Sequence, residues 1–410
     1  MHILIVHQFY LNDDDPGGSR FNKLTEYWLE LGHEVTVISG TLNYTTGTTN
    51  ECYKGKYIYK EKPKRNLTVY RCYVSQSYNK NFFGRLFGYF SFTISSTITL
   101  FKAKRPDIII VTSPPLFVAL TGIIAKYKYR KPLVFEVRDL WPESAIDTGV
   151  LTNKYIIQLS YFIEKMGYKF ADKINVLTPA FKEKLVKNKN VNLNKIMYIP
   201  NGADFDIFKK DDSGQEIISK YNLKDKFVIT YSGAHGLANN LIALLKIANN
   251  IKDKDKKIHF LLIGDGMLKK ELIKYKEENN IFNVTFIDAQ PKRNMNAFIN
   301  ASDVCTAILQ KNDTFKTVYP NKVFDYMSCK KPILIGIDGA ARKLVEENNS
   351  GKYYDPEDID TTTKIIMDFK NNVEKLSEMG DNGYVFVKKN FNRKKLAIRY
   401  IEEMDRLIVK

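Results

Sequence analysis

FVITYSGAHGLANNLIALLKIANNIKDKDKKIHFLLIG (227–264) decides the fold. Its opening run is apolar and β-rich without polar alternation, the pattern of a strand buried on both faces. A glycine-containing turn follows, then a stretch of helical length (LANNLIALLKIANNI), then a second strand-like run, IHFLLIG. Strand, helix and strand in this order spell a parallel βαβ unit. Similar runs continue downstream as NVTFID (283–288), DVCTAI (303–308) and PILIGI (332–337). Upstream, ILIV (3–6), VTVIS (35–39), IIIVTS (108–113), PLVFEV (132–137) and KINVLT (173–178) form an earlier series. The sequence therefore predicts an α/β protein of two tandem Rossmann-like domains with a cleft between them. A Pro-Asn-Gly turn in IPNGADFDIF (199–208) marks the junction, giving domains 1–200 and 201–390. The last stretch, 391–410, reads as a helix able to pack back on the first domain. Open sheets of this kind bind ligands at the carboxyl ends of their strands, a geometry suited to joining two substrates. Fold alone does not specify the chemistry.

Composition narrows the class. Of 410 residues, 44% are hydrophobic and 27% charged, which excludes a disordered, collagenous or mucin-like chain. Cys52, Cys72, Cys305 and Cys329 are scattered without a CxxC pair, so neither a disulfide framework nor a zinc site is signalled. Met1 leads directly into HILIVHQFY without a basic leader, so no signal peptide is expected and a cytoplasmic setting fits. The net charge of +17 is uneven: residues 52–131 hold +14 of it. That stretch is expected to face something anionic.

Several strand-to-helix turns carry candidate chemistry. Gly17 and Gly18, with Arg20 beside them, could approach an anion at a helix N-terminus, or form a plain capped turn. GAHG offers Gly233 and His235, and GDG offers Gly264 and Gly266. No GxGxxG fingerprint occurs. In TVYPNKVFDYM, Asn321 and Lys322 stand where amides and an ammonium meet a diphosphate. Asp325, one turn on, could accept hydrogen bonds from a ribose diol. The alternative is a capped amphipathic helix. FEVRDLWPES places Arg138, Asp139, Trp141 and Glu143 at a strand's carboxyl end, as a catalytic group or as a salt-bridged loop. The run Asp13, Asp14, Asp15 reads as solvated rather than metal-binding.

Taken in order, the N-terminal glycine loop, GHEVTVISG with NYTTG, SPPLFVAL, FEVRDLWPES, PNGAD, YSGAHG, LLIGDG and YPNKVFDYMSCKKPIL resemble the retaining family 4 glycosyltransferases of B-type, two-Rossmann fold. The nearest likeness is to the bacterial surface-polysaccharide and amino-sugar transferases. The resemblance implies transfer of a hexose or N-acetylated amino sugar from a nucleotide sugar, by preference UDP-linked, to a lipid-linked saccharide in capsule or O-antigen assembly. It implies no cofactor and no metal, and attack from the face the diphosphate leaves. It implies donor contacts at Gly17, Gly18, Arg20, Gly233, His235, Gly264, Gly266, Asn321, Lys322 and Asp325, with Arg138 and Asp139 catalytic. The family's Glu-x7-Glu pair is altered: Asp325 takes the second position, and Thr317 stands at the first. The Arg and Lys that many members place after the first strand of the second domain are absent from GAHGLANN.

Residues 82–101 hold seven aromatics and one charge, Arg85. Ser, Thr and Gly dilute their apolarity, which favours an interfacial helix over a span. Phe82, Phe83, Arg85, Phe87, Lys102, Lys104 and Arg105 are expected to face an anionic membrane and the acceptor, as is the cluster Lys126, Lys128, Arg130 and Lys131. The expected location is the inner face of the bacterial cell membrane. An ordinary packed helix is the plainer alternative. A sugar-nucleotide epimerase of the same shape, or a nucleic-acid protein using YKGKYIYKEKPKRNLTVYRCYV as a basic ribbon, are the competing functions. No nucleic-acid motif supports the latter.

Overall fold

The computed structural model describes residues 1–12, 20–42, 49–79 and 82–409, apart from the side chains of residues 78, 79, 82 and 83. Two compact units result. The first runs to Pro200 and includes Lys394 onward, and the second is Asn201–Arg393.

The first unit holds β1 (His2–Val6), β2 (Glu34–Gly40), β3 (Ile58–Lys64), β4 (Leu67–Cys72), β5 (Ile108–Ser113), β6 (Leu133–Val137), β7 (Lys173–Val176) and β8 (Ile196–Tyr198). Their order is β3-β4-β2-β1-β5-β6-β7-β8. All neighbours are parallel except the β3/β4 pair, which is antiparallel. Ile3 pairs with Val35 on one side and Ile108 on the other, so chain order reverses at β1. That reversal is the switch point where such sheets bind ligands. One face is covered by the helix Arg20–Glu30 and the helix Arg393–Ile408, through Leu24, Trp28, Leu396, Tyr400 and Met404. The Trp28 indole N–H donates to the Ala397 carbonyl at 3.1 Å. A buried indole needs such a partner, so the terminal helix completes this core.

The second unit holds β9 (Phe227–Ser232), β10 (Ile258–Ile263), β11 (Val284–Ile287), β12 (Val304–Ile308), β13 (Ile333–Gly336) and β14 (Gly351–Tyr353). The order is β11-β10-β9-β12-β13-β14, parallel throughout. Strand β9 shows why its sequence is uninterrupted. Phe227, Ile229 and Tyr231 enter one apolar cluster while Val228 enters another on the opposite face. Burial on both faces removes the polar alternation of a half-exposed strand.

Candidate functional site

In the second unit the GAHG and GDG turns lie backbone against backbone. Gly233 (φ 149°) and Gly264 (φ 148°) hold angles that side chains disfavour. A Cβ on Gly264 would stand 1.8 Å from the Gly233 carbonyl oxygen, and one on Gly233 would stand 2.5 Å from Lys322 Nζ. Only glycines permit this approach. Lys269, which no sequence pattern singled out, buttresses the pair. Its ammonium donates to the Gly264 carbonyl at 2.9 Å and meets Asp288 at 2.5 Å.

The helix Asn321–Ser328 starts after Pro320 and is pinned by buried Val323, Phe324, Tyr326 and Met327. That leaves Asn321 exposed, with Lys322 and Asp325 part-buried on the remaining face. Lys322 Nζ stands 3.8 Å from the Tyr231 ring centroid and has no carboxylate partner among the described residues. Burial lowers its ammonium to about 7. Asp325 Oδ1 is buried with no hydrogen-bond donor among the described residues. Burial raises this carboxyl to about 7, opposed by Lys292 and Arg393 and reinforced by Asp204. Asp204, fully buried, accepts from Arg393 and Lys292 at 2.5 Å each, so those cations are already committed. Among the described residues the ammonium has no counter-ion and Oδ1 of the carboxyl three residues on has no donor, so the two groups offer partners to a ligand with an anionic and a hydroxylic end. Thr317 does not replace the missing acid: its hydroxyl donates to the Thr314 carbonyl at 2.5 Å.

His235 differs from expectation. It is fully buried, 5.8 Å from the Phe286 ring, and neither ring nitrogen has a hydrogen-bond partner among the described residues. Burial first, and then Lys269, lower it to about 4. It is therefore a neutral ring packed inside the unit, not exposed to a phosphate in this structure.

Arg20 also differs. Its guanidinium is buried in the first unit, donating to both Glu136 oxygens at 2.9 and 3.2 Å and to the Pro200 and Ile199 carbonyls at 2.6 and 2.8 Å. The charge is spent inside the protein, so Arg20 holds the fold instead of an anion. Gly17, Gly18 and the Asp13, Asp14, Asp15 run lie outside the described residues.

At the carboxyl end of β6, Arg138 donates to the Pro114 carbonyl at 3.3 Å. Neighbouring Asp139 reaches solvent, yet the protein around it raises its carboxyl to about 6 against the pull of Arg138. Glu143 is tied to Lys189, which also meets Glu164 at 2.8 Å. Trp141 packs edge-on against Phe117. Sequence reasoning passed over two further residues, His7 and Gln8, directly after β1. Both are buried, and His7 Nδ1 and both Gln8 amide atoms lack partners among the described residues. Burial and then Arg138 hold His7 well below its ordinary pKa. The signal was present as HQ immediately following ILIV.

Of the expected membrane residues, Phe87 is 61% exposed, and Lys102, Lys104 and Arg105 are exposed. Lys104 pairs with Glu34 at 2.5 Å, and Arg85 is half-buried. Lys126 and Lys131 are paired to Asp172 and Asp107, leaving Lys128 and Arg130 as the exposed cations of that cluster. The side chains of Phe82 and Phe83 lie outside the described residues.

Residues 18–207 match the family described as Glycosyltransferase Family 4, and residues 214–386 match Glycosyl transferases group 1. The chain is 24% identical over 337 residues to the putative colanic acid biosynthesis glycosyl transferase WcaI of Escherichia coli K12, covering 80% of this chain and 81% of that one. It is 24% identical over 286 residues to the probable glycosyltransferase WbjE of Pseudomonas aeruginosa, covering 69% and 70%. Among solved structures, sucrose-phosphate synthase of Thermosynechococcus elongatus superposes with a TM-score of 0.77 at 14% identity, over 100% and 99% of the chains. Anabaena HepE in complex with UDP superposes with a TM-score of 0.74 at 15% identity, over 99% and 100%.

Proposed function

Because the chain belongs to the family 4 glycosyltransferases of two-domain, B-type fold, we propose that it transfers a hexose or N-acetylated amino sugar from a UDP-linked donor to a lipid-linked saccharide. The product would enter a bacterial polysaccharide such as capsule or O-antigen, with the anomeric configuration retained. The observation that carries this reading is Lys322, close against Gly233 and without a carboxylate partner among the described residues, with Asp325 one turn on, its Oδ1 without a donor among them. The names of WcaI and WbjE, and the UDP and UDP-glucose complexes of HepE, support its class.

In this scheme Lys322 and the first amides of the helix Asn321–Ser328 receive the diphosphate as it departs. The charge on the leaving group is met by an ammonium and aligned N–H dipoles, so the scheme requires no metal. Asp325, once ionised, accepts the ribose hydroxyls. Asp139, with its carboxyl near 6, is placed in the pH range of a group that orients or deprotonates an acceptor hydroxyl, and Arg138 stabilises the charge beside it. The acceptor is lipid-linked and the enzyme works on the cytoplasmic membrane surface. Among the described residues no helix is long and apolar enough to cross a membrane.

The test is transfer of labelled sugar from UDP-glucose, UDP-N-acetylglucosamine or their epimers to lipid-linked acceptors. Labelled lipid that forms only with protein, donor and acceptor together, with the donor's anomeric configuration kept, supports the reading. An epimerised nucleotide sugar appearing without acceptor would replace transferase by epimerase.

A further inference from the structure

Ten of the twenty-one exposed large apolar side chains among the described residues fall between Phe87 and Phe162, a concentration that marks one side of the first unit. They lie on three helices, Phe82–Thr99, Val118–Tyr129 and Lys154–Phe170, and on the turn after the first. Each helix links two parallel strands, from β4 to β5, β5 to β6 and β6 to β7, and right-handed crossovers in this order put all three on one face of the sheet.

They pack side by side. Ser96 and Thr121 hydroxyls meet at 3.0 Å across the first pair. A Cβ on Gly167 would lie 3.4 Å from Ala119 Cβ across the second. At one end Lys128 covers the Phe101 ring at 4.1 Å, and the Tyr127 and Phe170 rings meet at 6.0 Å.

Phe87, Ile94 and Ile98 recur at i, i+7 and i+11, and Tyr155, Leu159 and Phe162 at i, i+4 and i+7, so each outer helix turns an apolar stripe to solvent. Ile124 and Tyr127 fill the middle. The exposed charges that the three helices themselves carry have one sign. The three helices carry a single acid, Glu164, which is buried against Lys189. Exposed Lys102, Arg105, Lys128, Arg130, Lys165 and Lys169 have no acidic partner among the described residues.

We propose that these three helices together form the face on which the enzyme lies against an anionic lipid bilayer, with the helix Lys154–Phe170 contributing as much as the aromatic helix before it. Apolar stripes enter the boundary between headgroups and acyl chains while the cations meet lipid phosphates, the balance by which surface-bound helices hold a membrane. A protein partner or a second copy would also cover apolar area, but neither is selected for by a rim of cations alone. The proposal rests on the lipid-linked acceptor reading and deepens it by locating the lipid.

The full chain is sedimented with vesicles of phosphatidylglycerol and phosphatidylcholine, with phosphatidylcholine vesicles as control. The expected result is binding that needs the anionic lipid, weakens with salt, and falls roughly 10-fold or more in Leu159→Ser/Phe162→Ser and in Lys165→Glu/Lys169→Glu. Phe282→Ser, an exposed apolar residue of the second unit, serves as control and is expected to bind as wild type. Equal binding by all variants, or no binding by the wild type, overturns the proposal. So does a wild-type dimer that Leu159→Ser/Phe162→Ser converts to monomer, which would assign the face to self-association. Circular dichroism of each variant confirms folding. A wild-type thermal shift with UDP-glucose is read in parallel: a shift without vesicle binding refutes the face alone, and vesicle binding without a shift refutes the donor reading alone.

Discussion

Binding of a nucleotide sugar should draw a proton into the protein, and the source of that proton uptake is Lys322. Its ammonium lies against the Tyr231 ring with no counter-ion among the described residues, and burial lowers it to about 7. At pH 8 such a group is roughly nine-tenths neutral. A diphosphate brought beside it favours the charged form and returns it toward the ordinary lysine range, so binding takes up about 0.8 proton. Asp325 adds little at that pH, because a carboxyl near 7 is already largely ionised. UDP-glucose is the ligand to use, since its diphosphate ester has no proton of its own titrating near pH 8. Calorimetric titrations in buffers of differing ionisation enthalpy give the uptake as the slope of observed against buffer enthalpy. Wild type is expected near 0.8, and Lys322→Met near zero with affinity weakened roughly 10- to 100-fold. A flat dependence in a wild type that binds UDP-glucose, or an equal slope in the variant, would refute the assignment.

Four other outcomes follow from the same geometry. Arg20→Met leaves Glu136 buried without its cation, held only by Asn175 and Tyr400, and should lower stability by about 3–5 kcal/mol in denaturant unfolding; weakened nucleotide affinity without destabilisation would restore a donor role. Gly264→Ala drives a Cβ into the Gly233 carbonyl at a strained φ and should cost about 3 kcal/mol or more, read as a lowered Tm. Asp325, whose folded pKa is raised, contributes stability that is present near pH 4 and lost as pH rises to about 7. The Tm difference between wild type and Asp325→Asn should therefore shift against wild type across that window. Lys322, lowered, acts in the opposite sense: the penalty of burying its charge is full below about 7 and relieved as pH rises toward 10, which Lys322→Met should abolish.

The central strands were legible because each is buried on both faces and carries an unbroken apolar run. The edges were not. Strand β14 is three residues, GKY, and β3 interleaves Lys60, Lys62 and Lys64 at the sheet margin, where charge guards an open edge but erases the apolar signal. At the candidate site, the placement of Lys322 and Asp325 on one helical turn could be read directly, since it depends only on residues three apart. The surroundings of Arg20 and His235 were not legible, for a different reason. The partner of Arg20 is Glu136, 116 positions away, and His235 is enclosed by Phe286 from another strand, so no local pattern reveals that either is already occupied or packed. His7 and Gln8 escaped notice because two polar residues after a strand look like an ordinary loop until burial leaves their atoms unpaired.

The central claim, a nucleotide-sugar site built on Lys322 and Asp325, is tested most directly by a thermal-shift series with UDP-, GDP- and dTDP-sugars on wild type, Lys322→Ala and Asp325→Ala. A UDP-sugar should stabilise the wild type more than the other nucleotides do, and each substitution should remove most of that shift. No stabilisation by any nucleotide sugar, or variants that respond like wild type, would contradict it.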